Sequence, residues 1–132
     1  MTVGLDTSVV VRLLLGEPVE QAMAAWACLS EATEQDSPPP LVSDLVMAET
    51  FFALRHHYQV PEPEALQALS RLAHDVRLAA TPAVKRVLPE PRTTGAGFID
   101  RLIHAEYADL EACLLTFDKA AARQEGAHLI VG

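Results

Sequence analysis

Asp6, Glu49, Asp100 and Asp118 are four carboxylates set at turning points of the sequence. Asp6 closes the apolar run Val3-Gly4-Leu5, and Asp118 follows Ala112-Cys113-Leu114-Leu115-Thr116-Phe117. Glu49 and Asp100 lie early in two apolar stretches with helical spacing. Carboxylates that converge repel one another, so a counter-charge has to hold them together. A divalent cation does this well, because Mg²⁺ and Mn²⁺ prefer hard oxygen ligands. Each acid also has a local role open to it. Asp6 and Asp118 could cap the helices that follow them. Glu49 could pair with Arg55, and Asp100 suits the first turn of a helix, where the dipole favours negative charge.

The elements that must position these acids alternate between short apolar strands and helices. Residues 2–5 read as a buried strand, capped by Thr7 or Ser8 into an almost wholly apolar helix from Val9 to Leu15. An Ala-rich helix follows over 18–35, and Pro38-Pro39-Pro40 stops it. Leu41-Val42 is a minimal strand, and Ser43 or Asp44 caps a helix running to about Tyr58. On that helix Leu45, Glu49, Phe52 and His56 share one side. Residues 62–74 form an amphipathic helix, Val76 to Ala79 a strand, and Thr81-Pro82 opens a short helix. Pro89 to Gly97 reads as a loop. Phe98 to Glu111 is helical with an apolar stripe of Ile99, Leu102, Ile103, Tyr107 and Leu110. Residues 112–117 are a strand, and His128 to Val131 form the last one. This alternation predicts an α/β fold, with a mainly parallel central sheet and helices on both faces. Parallel strands would bring Asp6 and Asp118 to the same carboxyl edge, where α/β sheets bind ligands.

Four pieces carry a resemblance to a known family. They are Leu5-Asp6-Thr7-Ser8, Val42-Ser43-Asp44-Leu45-Val46-Met47-Ala48-Glu49, Gly97-Phe98-Ile99-Asp100-Arg101-Leu102-Ile103 and Leu115-Thr116-Phe117-Asp118-Lys119. In this order and spacing the chain resembles the PIN-domain ribonucleases, most closely the VapC-type toxins of bacterial toxin–antitoxin pairs. The resemblance runs over essentially the whole chain and implies a single PIN-like domain over residues 1–132. It implies metal-dependent hydrolysis of RNA phosphodiester bonds, with Asp6, Asp100, Asp118 and Glu49 as metal-binding and catalytic acids. Ser8 and Thr116 would be supporting hydroxyls. A bound Mg²⁺ or Mn²⁺ would lower the pKa of its water and polarise the phosphate, and two ions roughly 4 Å apart would clamp both reacting oxygens. The chain departs from the family at Ser8, where relatives often carry Asn, and at Gly97, Ala120 and Ala121, where some carry a further Asp. The implied partners are RNA, a small antitoxin protein and a second copy of the chain. The 62–74 and 18–35 helices are candidate surfaces for the two protein partners. The competing reading is a noncatalytic interaction module on the same fold.

The bulk composition narrows these readings. The chain has 132 residues, half of them apolar, which suits one domain with a real core. Its formal charge is −8, so tight nonspecific nucleic-acid binding by the lone chain is disfavoured. Arg92, Arg101, Lys119 and Arg123 are candidate RNA phosphate contacts, since arginine suits bidentate phosphate recognition. Arg12, inside an apolar helix, calls for a partner such as Glu20. Cys28 and Cys113 have no metal or redox spacing and read as small buried hydrophobes. No targeting or membrane-spanning pattern is visible, so a soluble cytoplasmic protein with no membrane partner is expected.

Overall fold

The helices that start at Thr7 and Asp44 begin where extended backbone at Asp6 and Ser43 turns into the helical region. The computed structural model describes residues 2–34, 36–88 and 95–131. Helix α1 spans Thr7–Leu15 and ends at Gly16, whose φ of 72° lets its N–H bond the Arg12 carbonyl at 2.9 Å. Helix α2 spans Val19–Glu34. Strand β1 (Leu41–Val42) leads into α3 (Asp44–Phe52), capped by the Ser43 hydroxyl, which accepts from the Val46 N–H at 3.1 Å. Helix α3 runs on into a π-helical turn over Ala53–His57. Helix α4 (Glu62–Ala73) carries Glu62 and Glu64 in its first turn and Arg71 in its last, both favoured by the dipole.

The second half repeats the pattern with shorter pieces. Strand β2 covers Ala79–Ala80, and α5 covers Pro82–Val87. The Thr81 hydroxyl caps α5 by accepting from the Val84 N–H. Helix α6 spans Phe98–Asp109, β3 covers Leu115–Thr116, a 3₁₀ turn covers Ala121–Arg123, and β4 covers His128–Leu129.

All strand pairings among the described residues are parallel, as an α/β fold requires, but they fall into two groups. Leu41 pairs with Ala79 and Val42 with Ala80. Gly4 bridges Leu41 on the other side, with the Leu5 N–H donating to the Leu41 carbonyl and the Leu41 N–H to the Val3 carbonyl. Separately, Leu115 pairs with His128 and Thr116 with Leu129. The described residues thus give two short, separate parallel ladders, and the single central sheet expected from the alternation is not shown. The strand expected over Val76 to Ala79 begins later: Leu78 is buried, while Val76 and Arg77 lie exposed.

One apolar cluster joins the helices. Val10, Leu13, Leu29, Met47, Leu54, Leu69, Val84, Phe98 and Leu102 are all buried in it. The Phe51 and Phe98 rings meet at 5.1 Å and link α3 to α6. A side chain of this size contributes roughly 1.5–3 kcal/mol when fully buried.

Several sequence expectations need correction. Ala65, Leu66, Leu69, Leu72 and Ala73 of α4 face this core, so that stripe is not a partner surface. On α2 the outward apolar residues are Val19 and Met23. The buried face of α6 is Phe98, Arg101, Leu102 and Ala105, so the helix is turned from the expected stripe and exposes Ile103, Tyr107 and Leu110. Arg12 finds the Gln21 side chain and the Ser8 carbonyl rather than Glu20. Cys28 and Cys113 are exposed free thiols rather than core residues. No helix among the described residues is long and apolar enough to cross a membrane.

Candidate active site

Parallel register sets the site's first row. Gly4, Leu41 and Ala79 lie side by side across the first ladder. Two residues beyond each stand Asp6, Ser43 and Thr81, and each is the N-cap of the helix that follows. Three strand-to-helix turns thus present side-chain oxygens along one carboxyl edge. Ser43 and Thr81 use theirs to cap. Asp6 does not: it holds the cap position of α1 with no side-chain capping bond.

The Asp6 carboxylate is instead held by its neighbour. The Ser8 hydroxyl donates to Asp6 Oδ2 at 2.9 Å. That bond first, and then the nearby backbone N–H groups of Thr7 and Ser8, which do not reach capping geometry, keep the Asp6 carboxyl below its ordinary value of 3.8. The group is exposed and ionised at neutral pH, facing solvent at the carboxyl edge.

Asp118 behaves differently. Its Oδ1 accepts from the Ala121 N–H at 2.8 Å, and its own N–H donates to the Thr116 hydroxyl at 3.0 Å. Both groups shape the turn after β3, and the residue itself is exposed. Asp100 is half-buried in the first turn of α6. Glu49 is exposed on the outer side of α3, with Leu45 and Phe52 also exposed. Phe52 stacks on His56 at 4.4 Å along this side, and Arg55 reaches the Val60 carbonyl at 3.0 Å rather than Glu49. Among the described residues, no three His, Cys, Asp or Glu side chains stand close enough to hold a metal ion. The quartet read from the sequence is placed on separate elements: Asp6 before α1, Glu49 on α3, Asp100 on α6 and Asp118 just after β3.

The cationic candidates also divide. Arg101 is buried, and its guanidinium donates to the Val87 carbonyl at 3.2 Å. It is an internal charge rather than an exposed phosphate contact. Lys119 and Arg123 are exposed. Arg92 lies outside the described residues.

Sequence reasoning missed one carboxyl group at the same edge. Asp44 was read only as a helix cap, but Ser43 takes that role. The Asp44 carboxylate instead accepts the Thr81 hydroxyl, joining the starts of α3 and α5. Glu106, on α6, faces Asp44 closely enough that its protonated form can donate to the Asp44 carboxylate. Partial burial, then that hydrogen bond and the Asp44 charge, push the Glu106 carboxyl above its ordinary 4.5, although much of the residue reaches solvent. The Thr81-Pro82 start signal was visible in the sequence; the pairing of its hydroxyl with an acid 37 residues earlier was not.

Compared with known proteins, the chain matches no protein-family model and no curated protein.

Proposed function

We propose that this chain is a Mg²⁺- or Mn²⁺-dependent endoribonuclease of PIN-like architecture, acting as the toxin of a bacterial type II toxin–antitoxin pair. One observation carries the reading most of the way. At the carboxyl edge of a parallel ladder, Asp6 is the N-cap residue whose carboxylate does not cap. It is left ionised, exposed and oriented by Ser8. Carboxyl edges of parallel strands are where α/β folds bind ligands. The order and spacing of the four acid-bearing sequence pieces support the same reading. On it, the central sheet is of the PIN type, and RNA, an antitoxin and a second copy of the chain are the partners in the cytoplasm.

The second reading is a noncatalytic interaction module on the same fold. It is favoured by the separation of the acids, since no three of them meet among the described residues. One experiment decides between the two. Purified chain is incubated with RNA in Mg²⁺, Mn²⁺ or chelator, beside the Asp6→Asn and Asp100→Asn variants. The nuclease reading expects cation-dependent cleavage, lower by on the order of 100-fold or more in each variant, with unchanged circular dichroism. Cleavage that survives both substitutions and chelation overturns it. Absence of both cleavage and Mn²⁺ binding by calorimetry establishes the module instead.

A further inference from the structure

The chain is acidic overall, with ten Lys and Arg against eighteen Asp and Glu, yet three of its arginines converge on one cavity. The cavity, about 440 Å³, lies where α5, α6 and the 3₁₀ turn before β4 meet. Arg86, Arg101, Arg123 and His104 line it, and among the described residues Glu125 contributes the one carboxylate in the lining. Its volume is in the range that encloses a small organic ligand.

Two of the three arginines are held in place. Arg86 is braced by Asp109 at 2.6 Å and by the Ala105 carbonyl at 3.3 Å. Arg101 is buried beneath the cavity and tied to the Val87 carbonyl. Arg123 is exposed at the rim and able to reach inward. His104 is fixed from the other side: its Nε2 lies 2.8 Å from the Glu125 carbonyl, which can only accept, so Nε2 carries a proton. Its Nδ1 is then left buried with no hydrogen-bond partner. A buried polar atom with no partner points to a group missing from the site.

We infer that this cavity is an anion site for a phosphate group, of the kind borne by inorganic phosphate or by a nucleotide. Arg123 supplies the exposed charge at its rim, Arg86 and Arg101 line its wall with guanidinium groups, and His104 Nδ1 can accept from a protonated phosphate oxygen. Planar guanidinium groups match phosphate oxygens in pairs, which a lysine cluster would not do. The site is separate from the Asp6 carboxyl edge and stands whether or not the chain cleaves RNA.

The test is calorimetric titration of the full chain in chelator, which removes any cation-dependent cleavage from the readout. The probes are inorganic phosphate, adenosine 5′-monophosphate, adenosine, and a short RNA with a 5′-phosphate or a 5′-hydroxyl. Phosphate-bearing probes are expected to bind and adenosine is not. Arg123→Gln should weaken binding about tenfold, and Glu125→Gln should strengthen it by removing a like charge. The His104 ring resonances should move on binding. Equal binding of inorganic phosphate and the nucleotide supports a free-phosphate site, while tighter binding of the 5′-phosphorylated RNA supports an RNA end as the source. No binding of any phosphate probe at tens of millimolar overturns the inference, as does binding unchanged in both variants.

Discussion

The two parallel ladders are built from the same kind of pairing and end in opposite surroundings. In the first, Val42 is buried and the helices that follow β1 and β2 feed Met47, Val84 and Phe98 into the core. In the second, Leu115 is 63% exposed and Phe117 74%, and Leu129, Ile130 and Val131 are exposed as well. Parallel ladders are normally covered on both faces. Here α3, α4 and α5 share the common core cluster with β1, whereas after β3 the chain makes only one 3₁₀ turn before β4. Three residues of 3₁₀ helix are too short to cover a strand face. The difference teaches that strand pairing alone does not bury a sheet; the connecting helices do.

That contrast can be broken by paired substitutions. Phe98→Ala removes a ring that is 1% exposed and stacked on Phe51, and should cost about 3–5 kcal/mol in denaturant unfolding. Phe117→Ala, on the open ladder, should cost less than about 0.5 kcal/mol. If the two variants lose comparable stability, the second ladder is covered in solution and the contrast is wrong.

The helix starts of the first ladder sharpen it further. Ser43→Ala removes the hydroxyl that accepts the Val46 N–H and should lower stability by about 1 kcal/mol. Amide exchange should then quicken first at the start of α3, while the amides of β4 exchange at an unchanged rate because they belong to the other ladder.

The smallest expected effect is one of pH. Glu106 is raised by burial and by Asp44, so its contribution to stability is full below its ordinary 4.5 and is lost as pH rises through the elevated value. Asp6 and Asp75 are lowered, by Ser8 and Arg77 respectively, so their contributions are present above 3.8 and are lost as pH falls. Thermal unfolding followed from pH 4.5 upward should show a decline that Glu106→Gln flattens. A decline of the same size in that variant would mean that the Asp44–Glu106 contact does not couple α6 to the first ladder.

Helix periods and turn chemistry were readable along the chain because they depend on neighbours within a few residues. The α4 stripe, the Ser43 and Thr81 caps and the stop at Gly16 all followed from local spacing. The rotation of α6 did not. Ile103, Tyr107 and Leu110 are as apolar as Leu102 and Ala105, and composition cannot say which of two apolar arcs the core will take. The site divides in the same way. Asp6 at a strand end, beside a serine able to hold it, was evident from two residues of separation. The Thr81–Asp44–Glu106 contacts were not, because they depend on how three helices meet.

What the sequence determined by itself was therefore the set of elements and the groups standing at their ends, since capping, periodicity and strand alternation are local interactions. The tertiary structure alone decided which apolar faces were covered, and that Arg86, Arg101, Arg123 and His104 share one cavity. Those outcomes depend on packing between segments far apart in the chain, where no short-range preference selects one partner over another.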